Sequence, residues 1–402
     1  MPNDAVRIDC FGEGTTLPNR VRRTRGEVVM LYLDQPFTQA IDQLLLGVAH
    51  KLQLSPTQYE KAESAYETIA GWLAKDEGVL GRANPRIFPQ GSIRIRTPVK
   101  PIGQNEFDCD AVCELDIGTP PHPLWTLDLI ENRLKAHGTY EGRLERKNRC
   151  IRVLYEGDFY LDILPARPFG PAGFLKVPDR DTRGEKDSAP RLYAEWFDRQ
   201  TLRRARLMNE DRAEVIPLPE QTSVREKGVL RVAVQLIKRH RDIAFQKDQD
   251  NAPISIVLTT LAAHFFDGQD SPFAAVTSIL ESIIRIVPGS GAPFSVWNPV
   301  HPGEDLSERW KANPEAYQKF VLWIGEFYRK WKRLGELRGP DLTLALEGLF
   351  GETVHAVIRD QLESVGEHRT ARTLGVNRVG GLTLGAVGAN SYIVKPQTFY
   401  GA

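Results

Sequence analysis

Cysteine is scarce in this chain, and the few cysteines present exclude two common uses of the residue. The 402 residues contain four of them, at positions 10, 109, 113 and 150. Four are too few for a disulfide framework in so long a chain, and no two have CxxC spacing. Cys109 and Cys113 lie near two aspartates, but histidines at ligand spacing are missing. Buried, reduced thiols are therefore expected rather than a zinc site.

The chain also lacks an excess of one charge and a long apolar run. Lysine plus arginine and aspartate plus glutamate number 52 each, so the formal net charge is zero. Because a protein that tracks a long nucleic acid needs a basic stripe, no such substrate is expected. No run of about 18 apolar residues occurs and the first residues do not resemble a secretory signal, which predicts a cytoplasmic protein without a membrane segment.

Hydrophobic residues, at 41% of the chain, are sufficient for the cores of about two to three domains. Ile41, Leu45 and Val48 recur at helical spacing, and Ser-Pro-Thr-Gln at 55–58 has the form of a cap for a second helix. Strands are predicted within 106–115 and 149–166, with a helix over 125–137 between them. From residue 224 the pattern predicts helices almost throughout. This order of elements indicates the α+β class.

Two aspartates, Asp108 and Asp110, stand two residues apart in the first predicted strand. Side chains at this spacing share a face, so two unpaired carboxylates repel each other unless a proton or a cation neutralises them. Asp162 lies in a later strand and would join them if the two strands pair. Three carboxylates suit Mg²⁺, and two ions would form the clamp used in displacement at phosphorus. For the Asp pair alone, a solvated strand end or a structural cation site is the alternative.

A Gly-Ser turn, Gly91-Ser92, precedes the acidic strand. Glycine lets the backbone approach a ligand closely, and the amide and hydroxyl of the serine can donate to phosphate oxygens. Because phosphates and metal-binding carboxylates would then be neighbours, the combination indicates a nucleoside triphosphate site.

The order of a Gly-Ser turn, an Asp-x-Asp strand and a later aspartate resembles the polymerase-beta-like nucleotidyltransferases. Several blocks, among them GSIRIRTPVKP, FDCDAVCEL, DFYLDILPA and VWNPVHPGEDLSERW, are similar to the bacterial cGAS/DncV-like nucleotidyltransferases (CD-NTases) of CBASS anti-phage systems. The likeness covers roughly residues 40–335 and includes the tail that ends in TFYGA. It implies a polymerase-beta-like core of mixed sheet and helices, a C-terminal helical lobe, and an active site in the cleft between them.

The resemblance also implies an activity. The enzyme would join nucleoside triphosphates (ATP, GTP or others) into a cyclic di- or trinucleotide signal for a downstream effector, with two Mg²⁺ ions, or Mn²⁺, as cofactors. Asp108 and Asp110 would hold both ions, and Asp162 would complete the first metal site and accept the proton of the attacking ribose hydroxyl. Attack on the α-phosphorus would release pyrophosphate.

Further phosphate contacts are expected from the helical half. In the segment LIKRHRD, Lys238 and Arg241 share one helix face, so only part of this basic run can meet a single ligand. A solvated basic face is the alternative from composition. By similarity to the family, Lys238 is expected to reach the outer phosphates, with Ser255 beside it at a helix N-terminus. Arg94 and Thr97 are weaker candidates.

The predicted organisation is an N-terminal arm and bracing helix over 1–59, a nucleotidyltransferase core over 60–225, a helical lobe over 226–365 and a flexible tail over 366–402. The end of the tail resembles those family tails that ubiquitin-transfer-like enzymes attach to targets. Ala402 would then be the conjugated residue, and a frayed terminus is the alternative.

Two other functions are open from the sequence. A template-independent transferase could extend RNA ends or modify a small hydroxylated acceptor, although the balanced charge disfavours a long RNA. A catalytically silent nucleotide-binding scaffold is disfavoured because all three aspartates are present.

Overall fold

The computed structural model describes residues 40–103, 105–201, 216–220, 223–224, 226–289, 291–371 and 373, and the backbone of three strands within 374–393. Cys10 and Ala402 lie outside the described residues, so the prediction for Ala402 stays a prediction. None of the described helices is long and apolar enough to cross a membrane.

A mixed sheet carries the predicted aspartates. Its strands are β1 (Arg86–Gln90), β2 (Phe107–Glu114), β3 (Leu144–Arg146), β4 (Ile151–Tyr155), β5 (Phe159–Pro168), β6 (Leu175–Asp179) and β7 (Gly184–Ser188). Their order is β1-β2-β5-β4-β3, while β6 pairs with the end of β5, and β7 pairs with β6. β2 and β5 are parallel, whereas β1 and β4 are antiparallel to these two central strands. Because β2 and β5 pair in parallel, the side chains of paired residues lie on the same face of the sheet.

Helices cover one face of this sheet. They include α2 (Pro56–Ala74), α3 (Val79–Arg82) and α5 (Trp125–Lys135). The predicted cap of α2 is present, because Ser55 and Gln58 form a capping box and Pro56 is the first helical residue. A stripe of residues at helical spacing along α2 is buried and includes Tyr59, Ala62, Tyr66, Ile69 and Leu73. The opposite sheet face near the aspartates is left for the cleft.

A second core is formed mainly by helices. They are α1 (residues 40–51), α6 (Pro190–Thr201), α7 (Val229–Ala244), α8 (Ser255–Phe265), α9 (Pro272–Ile286), α10 (Glu308–Ala312), α11 (Pro314–Leu334), α12 (Gly339–Phe350) and α13 (Thr353–Thr370). Ile41 and Leu45 of α1 and Phe197 of α6 belong to this apolar cluster. The helical core therefore gathers segments from both sides of the predicted boundary at 226, and α1 packs with the helical core rather than with the sheet.

A β-hairpin interrupts the region predicted as helical almost throughout. It consists of β8 (Trp297–Asn298) and β9 (His301–Asp305), and β9 packs beside β7 of the large sheet. The sequence pattern did not predict this hairpin, because two strands this short have no periodicity of their own. Their conformation depends on a neighbour that is far away in sequence.

The predicted tail also contains regular backbone. α13 continues to Thr370, past the predicted start of the tail at 366. Beyond it, β10 (Leu374–Asn377), β11 (Leu382–Leu384) and β12 (Ser391–Ile393) pair in the antiparallel order β11-β10-β12. These segments therefore carry local backbone pairing, and the prediction of a flexible tail over 366–402 stays a prediction.

Candidate active site

The register of two parallel strands brings the three predicted aspartates together. Asp110 of β2 is directly paired with Asp162 of β5, and Asp108 is paired with Tyr160. Cys109 points to the other side and is fully buried in the sheet-and-helix core. The three carboxylates therefore stand on one face of two adjacent strands, as the sequence predicted on the condition that these strands pair.

Arg152 connects two of these carboxylates and was missed by the sequence reasoning. It lies on β4 directly opposite Asp162. Its Nε donates to Asp162 Oδ1 at 2.7 Å, and its Nη2 donates to Asp162 Oδ2 at 2.8 Å and to Asp108 Oδ1 at 3.0 Å. A possible signal was its place between the apolar Ile151 and Val153 on a predicted strand. That alternation puts Arg152 on the non-core face, but only the register shows which carboxylates it meets.

The carboxylate of Asp110 has no hydrogen bond or ion pair among the described residues. Burial, together with the negative charges of Asp108 and Asp162, raises its pKa to about 8. Because Arg152 contacts the other two carboxylates, the charge on Asp110 is left without a direct partner. The site therefore favours binding a further positive charge at this position.

Gly91 lies against Asp110 and is required there for two reasons. β1 ends at Gln90, which pairs with Asp110, and the four-residue helix α4 (Gly91–Arg94) follows directly. Gly91 has φ +63°, and a Cβ at this position would be 2.1 Å from Asp110 Oδ2. Glycine is needed both for the backbone conformation and for the approach of the carboxylate.

Lys238 of α7 reaches the site from the helical core. It is 5% exposed, and its Nζ donates to the carbonyl oxygen of Thr97 at 3.3 Å and to Thr97 Oγ1 at 3.2 Å. Burial, with the positive charge of Arg241, lowers the pKa of Lys238 to about 8. Its neighbour Arg239 is also buried and contacts the Lys100 carbonyl oxygen. The basic run is therefore not the solvated face that composition left open.

Ser255 is the first residue of α8, as predicted, and it is held by the same basic run. Arg241 donates to Ser255 Oγ at 3.2 Å and to the Pro253 carbonyl oxygen at 2.8 Å. Arg94, one of the weaker candidates, forms an ion pair with Asp198 at 3.0 Å. Thr97, the other, is a partner of Lys238 as described above.

Two cavities meet at the acidic face of the sheet. The larger has a volume of 1040 Å³ and the smaller a volume of 490 Å³. Both are lined by Ser92, Asp108, Lys238 and Ser255, and Gly91 and Asp110 line the larger one. The candidate site therefore has room for two ligands of nucleotide size that meet at Asp108, while Asp162 lines neither cavity.

The donor chemistry of the site fits a hard divalent cation, but the side chains are not yet arranged around one. Three neighbouring carboxylates are the oxygen ligands that Mg²⁺ and Mn²⁺ prefer. In the described part of the chain, no three His, Cys, Asp or Glu side chains form a ready metal site. The guanidinium of Arg152 lies against Asp108 and Asp162 instead, so it would have to move for all three carboxylates to share an ion.

The chain is similar in sequence to proteins of known family. Residues 41–200 match the Second Messenger Oligonucleotide or Dinucleotide Synthetase domain. A "c-di-GMP synthase" of Roseivirga ehrenbergii is 32% identical over 379 residues, which are 92% of this chain and 100% of that protein. The chain belongs to the CD-NTase family. The resemblance predicted from the sequence blocks is thereby confirmed.

Other CD-NTases agree in sequence and in fold. The "Cyclic dinucleotide synthase CdnG" of Bradyrhizobium diazoefficiens is 27% identical over 89% of this chain and 91% of its own length. The solved structure of the Bradyrhizobium diazoefficiens CD-NTase CdnG in complex with GTP has a TM-score of 0.65, with 23% identity over 80% of this chain and 99% of that one. The Escherichia coli CdnC + ATP structure has a TM-score of 0.56 over 77% and 98% of the two chains, at 12% identity. The predicted mixed-sheet core with a helical C-terminal region is confirmed.

Proposed function

We propose that this CD-NTase joins two nucleoside triphosphates into a cyclic dinucleotide and releases pyrophosphate in each of two transfers. The observation that carries the proposal is the strand register that sets Asp110 beside Asp162, with Asp108 on the same face and Gly91 against Asp110. Asp108 lines both cavities and Asp110 lines the larger one, which supports a reaction between two nucleotides. The names of the relatives, a c-di-GMP synthase and a cyclic dinucleotide synthase, support the class of product.

In the proposed reaction, the protein positions phosphates and handles one proton in each transfer. Ser92 and Lys238 bind the outer phosphates, with Ser255 beside them. Asp162 accepts the proton of the ribose hydroxyl, whose oxygen attacks the α-phosphorus of the other nucleotide as the bond to the leaving pyrophosphate breaks. Mg²⁺ or Mn²⁺, when bound to Asp108, Asp110 and Asp162, would stabilise the charge on the α-phosphate and on the leaving group. A second transfer closes the ring.

Several finer assignments belong to the same proposal. The product would act in the cytoplasm as a signal to an effector protein in anti-phage defence of the CBASS type. Ala402 would be the site of attachment by a ubiquitin-transfer-like enzyme. The division into core and helical lobe is kept, with the helical lobe extended to include α1 and α6 because both bury against it.

The proposal is tested by incubating the purified chain with ATP, GTP, CTP and UTP and Mg²⁺, followed by phosphatase and mass spectrometry. The expected result is a phosphatase-resistant cyclic dinucleotide that is absent from a reaction with the Asp108→Ala variant. Asp158→Asn is the matched control, because Asp158 lies on the β4–β5 turn and contacts Lys61. Extension of labelled RNA without cyclic product would instead support the transferase alternative, and binding without any turnover would support a scaffold.

Arg152→Gln is expected to destabilise the metal-free protein and to strengthen metal binding. Without the guanidinium, Asp108 and Asp162 lose their cationic partner, which should lower the free energy of unfolding by about 1–3 kcal/mol. The same loss removes a competitor for these carboxylates, so the Kd for Mn²⁺ should fall by about tenfold. Thermal unfolding in a chelator and Mn²⁺ titration followed by electron paramagnetic resonance measure the two effects.

The control for Arg152 is Arg146→Gln on β3. Arg146 forms ion pairs with Asp128 and Glu131, away from the three aspartates. Its replacement should lower stability without changing Mn²⁺ affinity. Equal Mn²⁺ affinities of the Arg152 variant and the unaltered protein would contradict the prediction.

Lys238→Met is expected to raise the KM for nucleoside triphosphates by about tenfold, because a charge-assisted contact to phosphate is lost. In the unaltered protein, nucleotide affinity should fall as the pH rises through about 8, since Lys238 then loses its proton. The variant should lack this fall. Calorimetric titrations between pH 7 and pH 9.5 give the comparison, with buffers of matched ionic strength.

Arg239→Met is the control for Lys238. Arg239 is equally buried but donates to the Lys100 carbonyl oxygen and lines neither cavity. This variant should be less stable but should keep the KM and the pH dependence. The same fall in nucleotide affinity above pH 8 in the Lys238 variant would contradict the assignment.

A further inference from the structure

One wall of the larger cavity is rich in carboxylates and is built from β7, the β8–β9 hairpin and the start of α10. Most of these carboxylates form ion pairs, namely Glu185 with Arg167, Asp187 with Lys176, Asp305 with Lys311, and Glu308 with Arg149 and Lys186. Glu304 differs from them. Among the described residues it has no ion pair, and its partner is the amide of Asn298, whose Nδ2 donates to Glu304 Oε2 at 2.7 Å.

Asn298 holds the Glu304 carboxylate in place, although no cation forms an ion pair with it among the described residues. Burial raises the pKa of Glu304, and His301 and Arg149 act on its charge without a direct contact. Asn298 is 4% exposed, and its Oδ1 accepts a hydrogen bond from the Val300 backbone N–H at 3.1 Å. This second bond fixes which end of the amide faces Glu304. The Oε1 of Glu304 has no hydrogen-bond partner among the described residues, and the side chain lines the cavity. Because a partly buried carboxylate is costly without donors, the geometry favours a ligand that supplies N–H groups.

The two purine bases differ in what they offer to a carboxylate. Guanine presents two adjacent donors on its Watson–Crick edge, N1–H and the N2 amino group, whereas adenine presents the N6 amino group beside an N1 acceptor. An ionised carboxylate only accepts hydrogen bonds, and each of its oxygens can accept two. Guanine can therefore bind both oxygens while Asn298 stays bound to Oε2. Adenine would leave its N1 lone pair against an oxygen.

We infer that Glu304 selects guanine, by accepting hydrogen bonds from N1–H and N2–H of the GTP base in the larger cavity. This inference rests on the proposed function and names the base that one of its two nucleotide sites takes. The cavity is continuous from Glu304 to Gly91, Ser92, Asp108 and Asp110, so one nucleotide can place its base at the hairpin and its phosphates at the carboxylates. A site built to hydrogen-bond a substrate rejects the analogue that lacks the matching groups.

The test compares binding of the unreactive α,β-methylene analogues of GTP and ATP to the full chain and to the Glu304→Gln variant by calorimetry. Glutamine offers one acceptor and one donor, which match the N6–H and N1 of adenine. The unaltered chain should prefer the GTP analogue, and the variant should lower the GTP-to-ATP affinity ratio by at least about tenfold. Incubation with a GTP and ATP mixture should show the same shift in the bases of the cyclic product.

Glu308→Gln is the matched control, since Glu308 lines the same cavity but both of its oxygens contact cations, Arg149 and Lys186. Its affinity ratio should equal that of the unaltered chain. The inference is overturned if the Glu304 variant loses affinity for both analogues equally or keeps the original affinity ratio. It is also overturned if the unaltered chain shows no preference for the GTP analogue. Failure to form any cyclic product would overturn the proposed function instead, because the binding ratio is measured without turnover.

Discussion

Asp110→Asn is expected to reduce formation of the cyclic product by at least about a thousandfold, because it removes the central carboxylate of the proposed metal site. Asp110 is directly paired with Asp162 in the sheet, and its carboxylate lies against Gly91 on the other side. An asparagine keeps the size of the side chain but carries no charge for a cation. Initial rates with saturating Mg²⁺ and nucleotides measure the effect. Activity within tenfold of the unaltered chain would contradict the assignment.

The same variant is expected to be more stable than the unaltered protein when no metal is present. The pKa of Asp110 is raised from 3.8 to about 8 in the fold, so the folded state disfavours its ionised form. Stability is therefore lost as the pH rises from the unfolded pKa to the folded one, and the loss is complete above pH 8. The Asp110→Asn variant does not have this loss of stability. Its free energy of unfolding should therefore exceed that of the unaltered protein by on the order of a few kcal/mol at pH 9 and by much less at pH 5.

Chemical unfolding in a chelator at the two pH values measures this difference. The Asp158→Asn control should show no comparable gain, because Asp158 forms an exposed ion pair with Lys61. If Asp110→Asn raised the free energy of unfolding equally at pH 5 and pH 9, the ionised Asp110 carboxylate would not be destabilised by its surroundings. A separate titration should show that added Mg²⁺ raises the melting temperature of the unaltered chain more than that of the variant.

Gly91→Ala is expected to lower the rate of product formation by about a hundredfold or more, since small displacements of catalytic groups have effects of this size. The added Cβ would stand 2.1 Å from Asp110 Oδ2, so either the turn or the carboxylate must shift. The φ of +63° adds a backbone cost of about 1–2 kcal/mol for any residue with a side chain. Steady-state kinetics and thermal unfolding measure the two consequences.

Gly138→Ala is the control that separates the loss of stability from the loss of activity. Gly138 has φ +73°, and a Cβ there would meet nothing within 4 Å. The control variant should therefore lose stability from backbone strain and keep its kcat. If Gly91→Ala and Gly138→Ala lost stability alike and both kept full activity, Gly91 would serve the turn alone and would have no role in placing Asp110.

Local patterns in the sequence predicted the elements that depend on their own residues. The α2 cap needs only Ser55, Pro56 and Gln58, and the structure contains it. The acidic strand, the strands within 149–166 and the helix start at Ser255 were likewise predicted because such patterns act over a few residues. The three aspartates and the Gly-Ser turn could be identified as candidate site residues for the same reason. Their residue types and spacing already indicate binding of metal ions and phosphates.

Long-range pairing decided the rest. Arg152 enters the site because β4 pairs with β5 in one register, and the hairpin that carries Glu304 forms beside β7. Neither strand contains a local signal for its partner. α1 has the apolar stripe of an ordinary helix, and such a stripe does not specify whether a sheet or a helical core will bury it.

The sequence by itself determined which groups are available for chemistry: three carboxylates in strands, a Gly-Ser turn before them and a basic helix later in the chain. Only the tertiary structure decided that Asp110 lies beside Asp162, that Arg152 bridges Asp108 and Asp162, and that Glu304 lines the same cavity. The physical reason is that side-chain identity and short-range conformation are encoded locally. Strand register and the packing of lobes depend instead on contacts between residues that are far apart in the chain.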